Sequence, residues 1–304
     1  MTNTNTTAAK PFHSGFVTIV GRPNVGKSTL MNAMVGEKVA IVSARPQTTR
    51  NRLMGVVTDA DWQIVFLDTP GIHQPTTRLG EYMMQSVKDA MDGMDGLLVI
   101  VDVTSFGDKD RKIIEEMAAK KVPKLLALNK IDLIQPEKLL GLIDSLRDAG
   151  MDAIIPISAK TGDGLEELTK ALVSLLPEGP KYFPDDMVTD QPERLICAEM
   201  IREKALMHLR DEVPHGIGVE MMSMQKENDG FMEIHANIYC EKESHKGIII
   251  GRQGAMLRQI GSEAREDIEK LLGLHVNLKL WVKVRPDWRN KANDLRDLGY
   301  NRQG

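Results

Sequence analysis

Short apolar runs alternate with segments of helical spacing through the first part of the chain. Five runs, at residues 16–20, 64–67, 96–101, 124–128 and 154–157, are apolar and flanked by polar or turn residues, as is typical of buried strands. Apolar residues recur at helical spacing over residues 110–120, 136–149 and 165–176. This alternation predicts an α/β domain with a mostly parallel sheet and helices on both faces, with Leu53–Thr58 as one further strand.

A cluster of prolines ends this pattern. Four of the 14 prolines lie between residues 176 and 192, where they prevent a continuous helix and stiffen an extended connector. The following pattern predicts an α+β domain in the order helix, strand, strand, helix, helix, strand. We therefore divide the chain into a disordered extension (1–14), a first domain (15–177), a Pro-rich linker (178–193) and a second domain with a basic tail (194–304).

A glycine-rich segment follows the first predicted strand. Residues 21–28, GRPNVGKS, precede a predicted helix at residues 29–35, which is the context of a phosphate-binding loop. We expect Lys27 to reach the β- and γ-phosphates and Ser28 to hold Mg²⁺. The other loop residues expected at the nucleotide are Asn24, Val25, Gly26 and Thr29.

Motifs after two later strands indicate which base is bound. In Asn129-Lys-Ile-Asp132, the Asp132 carboxylate can accept hydrogen bonds from guanine N1–H and the 2-amino group. Adenine would leave this charge unpaired, at a cost of roughly 1–3 kcal/mol. The expected roles of the others are a brace for the loop (Asn129), a cover for the base (Lys130) and a backbone N–H toward guanine O6 (Ser158, Ala159, Lys160). The sequence therefore predicts GTP and GDP as ligands.

Two segments between these motifs predict a switch. Asp68-Thr-Pro-Gly71 ends a strand, and we expect Asp68 in the Mg²⁺ shell and the Gly71 N–H at the γ-phosphate. A threonine of the QTTR sequence at residues 47–50 would contact Mg²⁺ only beside a γ-phosphate. We assign this role to Thr49, with Thr48 as the alternative. Ile72 occupies the position at which some GTPases carry a water-orienting Gln, so we expect slow intrinsic hydrolysis.

Asn24 has two interpretations. Its side-chain carbonyl can help to bind K⁺ against the phosphates, or it can simply brace the loop. Turnover in K⁺ and in Na⁺ at equal ionic strength distinguishes these two roles.

A Gly-x-x-Gly turn lies between two predicted helices of the second domain. The sequence IIIGRQG at residues 248–254 is similar to the loop of KH modules, which clamps about four nucleotides of single-stranded RNA. A plain helix–turn–helix corner is the alternative, which the order of elements disfavours. The predicted RNA-binding residues are Lys246, Gly251, Arg252, Gln253, Gly254 and Arg258.

Composition changes this picture only locally. The 304 residues carry a net charge of −4, which taken alone argues mildly against a nucleic-acid partner. Residues 242–265 nevertheless have a net charge of +3 and residues 279–302 of +4, so we expect RNA binding that depends partly on base contacts. In the second of these stretches, Trp288 could contact a base or a membrane surface, or pack against the sheet. Cys197 and Cys240 have no metal-site spacing and are expected to be core thiols.

The motifs together resemble the Era family of bacterial GTPases over residues 15–302. This resemblance implies a Ras-like GTPase domain followed by a type II KH domain. It also implies binding of 16S ribosomal RNA near its 3′ end and a role in assembly of the small ribosomal subunit. From the resemblance and the absence of a secretion signal we expect a cytoplasmic monomer, with possible peripheral contact with the inner face of the cell membrane.

Three other functions remain as alternatives. The first is an RNA-binding chaperone whose nucleotide domain is a structural relic, against which the intact Lys27, Ser28, Asp68 and Asp132 argue. The second is a GTPase of tRNA modification, which usually carries a C-terminal cysteine, whereas this chain ends at Gly304. The third is a P-loop kinase, which the guanine motif disfavours.

Overall fold

The first domain is built on a six-stranded sheet. The computed structural model describes residues 11–43, 49–71, 76–211, 213–228 and 230–300. The strands are β1 (His13–Val20), β2 (Leu53–Thr58), β3 (Trp62–Asp68), β4 (Gly96–Asp102), β5 (Lys124–Asn129) and β6 (Ala153–Ile157). They lie in the order β2-β3-β1-β4-β5-β6, and only the β2–β3 pair is antiparallel.

Helices cover both faces of this sheet, as predicted. Buried side chains of α1 (Lys27–Val35) and α5 (Leu165–Leu175) pack on one face. Those of α2 (Arg78–Met91) and α3 (Asp108–Ala118), with partly buried residues of α4 (Pro136–Ser145), pack on the other. Because the parallel strands end at one edge, the loops that follow β1, β3, β5 and β6 converge there.

The ends of the first domain differ from the sequence prediction. β1 begins at His13, so His13 and Ser14 belong to the sheet rather than to an extension, and residues 1–10 lie outside the described residues. The Pro-rich segment follows the edge of the sheet: the Val56 N–H donates to Val188 O at 2.9 Å, and Thr189 Oγ1 donates to Met54 O at 2.6 Å. This segment is therefore held along β2.

The second domain has its own three-stranded sheet. It contains α6 (Glu193–His208), β7 (Gly218–Asn228), β8 (Phe231–Cys240), α7 (Glu243–Ile250), α8 (Ala255–Leu272), β9 (His275–Val284) and α9 (Ala292–Asp297). β8 is antiparallel to β7 and parallel to β9. Buried residues of α6, α7 and α8 pack against the three strands in one core, and the predicted order of elements is confirmed.

Three side chains of this domain settle alternatives left by the sequence. Cys197 and Cys240 are buried and free of disulfides, as expected of core thiols. Trp288 is fully buried and its indole N–H donates to Gly216 O at 2.9 Å. It therefore packs inside the protein, and the two surface roles considered for it were wrong. None of the helices in the described residues has the length and apolar content needed to cross a membrane.

Candidate nucleotide and nucleic-acid sites

The loop between β1 and α1 forms the centre of a pocket of about 280 Å³. A Cβ atom at Gly21 would lie 2.3 Å from Ile100 O, and one at Gly26, which has φ +105°, would lie 2.2 Å from Asn129 Nδ2. Only glycine fits these two positions, because the backbone runs against its neighbours. The loop residues that line the pocket are Pro23, Asn24, Gly26, Lys27, Ser28 and Thr29, and Val25 is buried beneath them.

Lys27 is buried at the base of this loop. Its Nζ donates to Gly21 O at 3.2 Å and to Arg22 O at 3.1 Å. Burial lowers the pKa of Lys27, and the carboxylate of Asp68 opposes this shift. The ammonium group is thus held under the helix N-terminus, where phosphate oxygens are bound in loops of this type.

Three oxygen atoms converge beside Lys27. Ser28 Oγ donates to Asp68 Oδ2 at 2.8 Å, and Thr49 Oγ1 lies 2.9 Å from Ser28 Oγ and 3.3 Å from Asp68 Oδ2. Asp68 is fully buried, and its Oδ1 has no hydrogen-bond partner within the described residues. Burial raises the pKa of Asp68, whereas Lys27 lowers it. An all-oxygen set with an unpartnered buried carboxylate oxygen fits a hard cation such as Mg²⁺.

The structure therefore brings the predicted metal ligands Ser28, Thr49 and Asp68 together. A Cβ atom at Gly71 would lie 2.7 Å from Pro23, so the backbone of Gly71 adjoins the phosphate loop. Gln47, the alternative ligand Thr48 and Ile72 lie outside the described residues.

The residues predicted for the base lie where β5 and β6 end, and Lys130 among them lines the pocket. Asn129 is buried; its Nδ2 donates to Val25 O at 2.7 Å, and its Oδ1 accepts from the Ala159 N–H at 2.9 Å. Lys130 Nζ donates to Asn24 O at 3.0 Å and to Asp102 Oδ2 at 2.6 Å. Asn129 and Lys130 thus tie the loops after β1, β5 and β6 together.

Asp132 is exposed in the short turn that follows β5. Its Oδ1 accepts from Ser158 Oγ at 2.7 Å, which orients the carboxylate. Because the Ala159 N–H is bonded to Asn129, the Lys160 N–H is the one in this Ser-Ala-Lys loop that has no backbone or side-chain acceptor among the described residues. Within the described residues, Lys160 is therefore the residue of this predicted set whose backbone N–H is not already bonded to another part of the chain.

A second candidate site lies at the Gly-x-x-Gly turn between α7 and α8. Gly251 has φ +71°, and a Cβ atom there would lie 2.7 Å from Met256 Cβ. Gly254 has φ +78° with open space around its Cα, and the exposed Gln253 also has positive φ. The turn therefore presents bare backbone, as close approach to a nucleic-acid strand requires.

A groove of about 410 Å³ continues from this turn between α8 and β9. Its floor contains Leu257, Leu278 and Leu280, and a Cβ atom at Gly261 would point at Leu280 Cδ1, 3.3 Å away. The Gly-x-x-Gly motif predicted the turn, but not a role for these residues or for Arg265. The alternation of β9 and the position of Gly261 on the face of α8 toward β9 were the signals that would have found them.

Four basic side chains lie on α7, on the turn or along the groove: Lys246 is on α7, Arg252 is in the turn, and Arg258 and Arg265 line the groove. None of them forms a hydrogen bond or an ion pair with another described residue, so their charges are available to phosphates. We call this set the groove cations; it consists of Lys246, Arg252, Arg258 and Arg265.

Two family models match the chain. Residues 16–130 match a family described as 50S ribosome-binding GTPase, and residues 212–289 match the KH domain. These ranges contain the phosphate loop and the Gly-x-x-Gly turn, respectively.

Relatives match over nearly the whole length. The chain is 53% identical to GTPase Era of Ruminiclostridium cellulolyticum over 292 residues, which is 95% of this chain and 98% of that protein. It is also 53% identical to GTPase Era of Clostridioides difficile over 294 residues, or 95% and 99% of the two chains.

Solved structures agree with these matches. The crystal structure of Era in complex with MgGDPNP and nucleotides 1506–1542 of 16S ribosomal RNA superposes with a TM-score of 0.91 at 41% identity, covering 95% of this chain and 99% of that one. A variant of Aquifex aeolicus Era bound to GDP and AlF4⁻ gives the same TM-score, identity and coverage.

Proposed function

Because the chain belongs to the Era family of GTPases, we propose that it binds and hydrolyses GTP and binds 16S ribosomal RNA near its 3′ end during assembly of the small ribosomal subunit. The observation that carries this proposal is that one chain combines a candidate nucleotide-binding site with a candidate RNA-binding site. One combines a phosphate loop with an exposed Asp132. The other combines the Gly-x-x-Gly turn with an apolar groove that Arg258 and Arg265 border.

In the nucleotide site, each group has a distinct role. The loop N–H groups and Lys27 hold the β- and γ-phosphates, and the Gly71 N–H bonds the γ-phosphate. Ser28, Thr49 and Asp68 would hold Mg²⁺, which neutralises phosphate charge when bound. Asp132 and the Lys160 N–H select guanine, while Asn129 and Lys130 hold the loops in register.

Hydrolysis by these groups is expected to be slow. The residue after Gly71 is Ile72, which offers no hydrogen bond to the attacking water. The acceleration of hydrolysis therefore depends on electrostatic stabilisation by the phosphate loop. We expect that an activator or bound RNA could increase the turnover rate further.

In the RNA site, the groove separates two kinds of contact. Leu257, Leu278 and Leu280 offer an apolar floor to unstacked bases, whereas the groove cations and the bare backbone at Gly251 and Gly254 contact phosphates. We therefore expect the three leucines of the groove floor to contribute to sequence specificity for RNA, and the groove cations to contribute to affinity.

A turnover assay tests the enzymatic part. We expect phosphate release from GTP but not from ATP, with loss of activity in Lys27→Ala. Lys170→Ala is the matched control, because Lys170 is exposed and pairs with Glu166 on the surface of α5. Equal turnover in wild type and Lys27→Ala would support the relic alternative and overturn the assignment.

A binding titration tests the RNA part. We expect a single-stranded oligonucleotide with the 3′-terminal 16S sequence to bind more tightly than a scrambled oligonucleotide of equal length. Since the matching GTPase family is described by 50S ribosome binding, preferential binding of large-subunit RNA is the competing outcome.

Two finer assignments follow from the motifs and the family resemblance. We propose that the Asn24 side chain, exposed at the mouth of the pocket, helps to bind K⁺; equal turnover in K⁺ and Na⁺ would contradict this. We also propose a cytoplasmic protein with peripheral membrane contact. Co-sedimentation with anionic vesicles tests that contact, and absence of the protein from the pellet would contradict it.

A further inference from the structure

The second domain contacts the chain on both sides of the metal-binding threonine. On one side, the Val42 N–H donates to Glu203 Oε1 of α6 at 2.7 Å, and Val42 lines the nucleotide pocket. Glu203 is almost fully buried and also binds Lys38 Nζ, whose other partner is Asp267 of α8 at 2.7 Å. This wall of the pocket is therefore held by α6 and α8.

On the other side, Arg50 inserts into the second domain and is only 2% exposed. One terminal nitrogen donates to Ile217 O at 2.7 Å and to the Tyr300 hydroxyl at 3.1 Å; the other donates to His215 O at 3.3 Å. The guanidinium carbon lies 5.6 Å from the centre of the Trp288 ring and 5.8 Å from that of Tyr300. We call these four residues of the second domain the arginine pocket.

The arginine pocket holds a charge that is costly to bury. Within the described residues no carboxylate forms an ion pair with Arg50, so its charge is stabilised by carbonyl oxygens, a hydroxyl and two aromatic faces. Moving a guanidinium out of water costs several kcal/mol, and the acceptors around Arg50 offset this cost only in part. The Nε atom of Arg50 is buried without a hydrogen-bond partner among the described residues, and burial lowers the pKa of Arg50. The two terminal nitrogens nevertheless meet three oxygens, and the guanidinium lies near two rings, so this planar group has one geometry in which all these contacts form together.

Arg50 follows Thr49 directly in the chain, but the two side chains contact different domains. The Thr49 hydroxyl lies 2.9 Å from Ser28 Oγ at the metal site, while the Arg50 guanidinium lies in the second domain. A shift of the backbone at Arg50 therefore also shifts Thr49, and holding the Arg50 side chain in place restrains that backbone.

We propose that the second domain positions Thr49 at the metal site through the arginine pocket, so that Tyr300 and Trp288 act as positioning residues for GTP binding. This inference rests on the proposed GTP site. Since a threonine ligand matters only when a γ-phosphate is present, the arginine pocket contributes to affinity for GTP and not for GDP. By linkage, a γ-phosphate in turn stabilises the docking of Arg50 in the second domain.

Nucleotide affinities of full-length variants test this inference. Tyr300→Leu retains apolar bulk but removes the hydroxyl and the ring, and Arg50→Lys retains the charge but removes the fork. We expect each substitution to weaken the binding of a non-hydrolysable GTP analogue with Mg²⁺ about 10-fold. This is the lower end of the roughly 10- to 100-fold loss that follows removal of a residue that orients a metal ligand. GDP affinity should change less than about twofold. Tyr182→Leu is the matched control, because Tyr182 packs on Phe16 in the first domain.

A double substitution shows whether the effect passes through Thr49. In a Thr49→Ala background, Tyr300→Leu should have no further effect on the ratio of GTP-analogue to GDP affinity, since the group it positions is gone. Additive losses would overturn the proposal, as would equal losses for both nucleotides, which indicate general destabilisation. If wild-type protein binds neither nucleotide, the proposed GTP site itself fails, and that outcome is distinct from those above.

Discussion

Asp132 provides the sharpest prediction about the base. In the structure its Oδ1 accepts from Ser158 Oγ at 2.7 Å, and Ser158 is fully buried. In Asp132→Asn, the remaining carbonyl oxygen should keep this bond, because the hydroxyl needs an acceptor. The new amide NH₂ then replaces the outward oxygen and faces two donors of guanine.

The expected loss follows from the bonds replaced. Each hydrogen bond to a charged group contributes about 1.5–3 kcal/mol, and two are lost. Because Asp132 is exposed, the lower end applies, about 3 kcal/mol, or roughly 100-fold in Kd for GTP. Xanthosine triphosphate carries a carbonyl where guanine has its 2-amino group, so the variant should prefer it.

Competition binding against a fluorescent GTP analogue measures both changes. Ser158→Ala is a useful companion, since it frees the carboxylate oxygen and should weaken GTP binding less than Asp132→Asn does. Unchanged GTP affinity in Asp132→Asn, or equal competition by ATP and GTP in the wild type, would refute the assignment of the base site.

Three further predictions concern the groove and the core. Gly261→Leu should fill the groove against Leu280 and weaken RNA binding at least 10-fold in a filter-binding assay. The gain in helix propensity should keep the melting temperature, measured by calorimetry, from falling. Gly141→Leu, in open space on α4, is the control, and undiminished RNA binding by Gly261→Leu would contradict the assignment of the groove as the RNA site. The four groove cations predict a slope of about −3 for log K against log salt concentration, at about −0.7 per phosphate on single-stranded RNA, and a much steeper slope in a salt titration would indicate a second basic surface. Burial raises the pKa of Cys197 to about 12 and also raises that of Cys240, so both stay protonated at pH 8 and should resist iodoacetamide until the protein is unfolded; rapid alkylation seen by mass spectrometry would contradict their placement in the core.

Much of the fold was predictable because its signals are local. The strands of the first sheet carry continuous apolar runs, and turn residues bound them. Helix α2 was missed, although Leu79, Met83, Val87 and Ala90 recur at helical spacing and are buried.

The nucleotide motifs were predictable because each loop has short-range chemistry. The groove was not, because its floor joins a helix and a strand that are distant in sequence. Arg50 shows the limit most clearly: in the sequence it is a basic residue after two threonines, and only the fold brings Trp288 and Tyr300 to it. Trp288 was likewise ambiguous, because burial of an indole near the end of the chain depends on long-range packing.

The proposed RNA target is tested by crosslinking bound RNA in cells and mapping the crosslinked nucleotides. Reads from the wild-type protein should concentrate near the 3′ end of 16S ribosomal RNA, and Gly261→Leu should remove this enrichment. Reads concentrated on large-subunit or unrelated RNA, or an enrichment that persists in Gly261→Leu, would contradict the proposal.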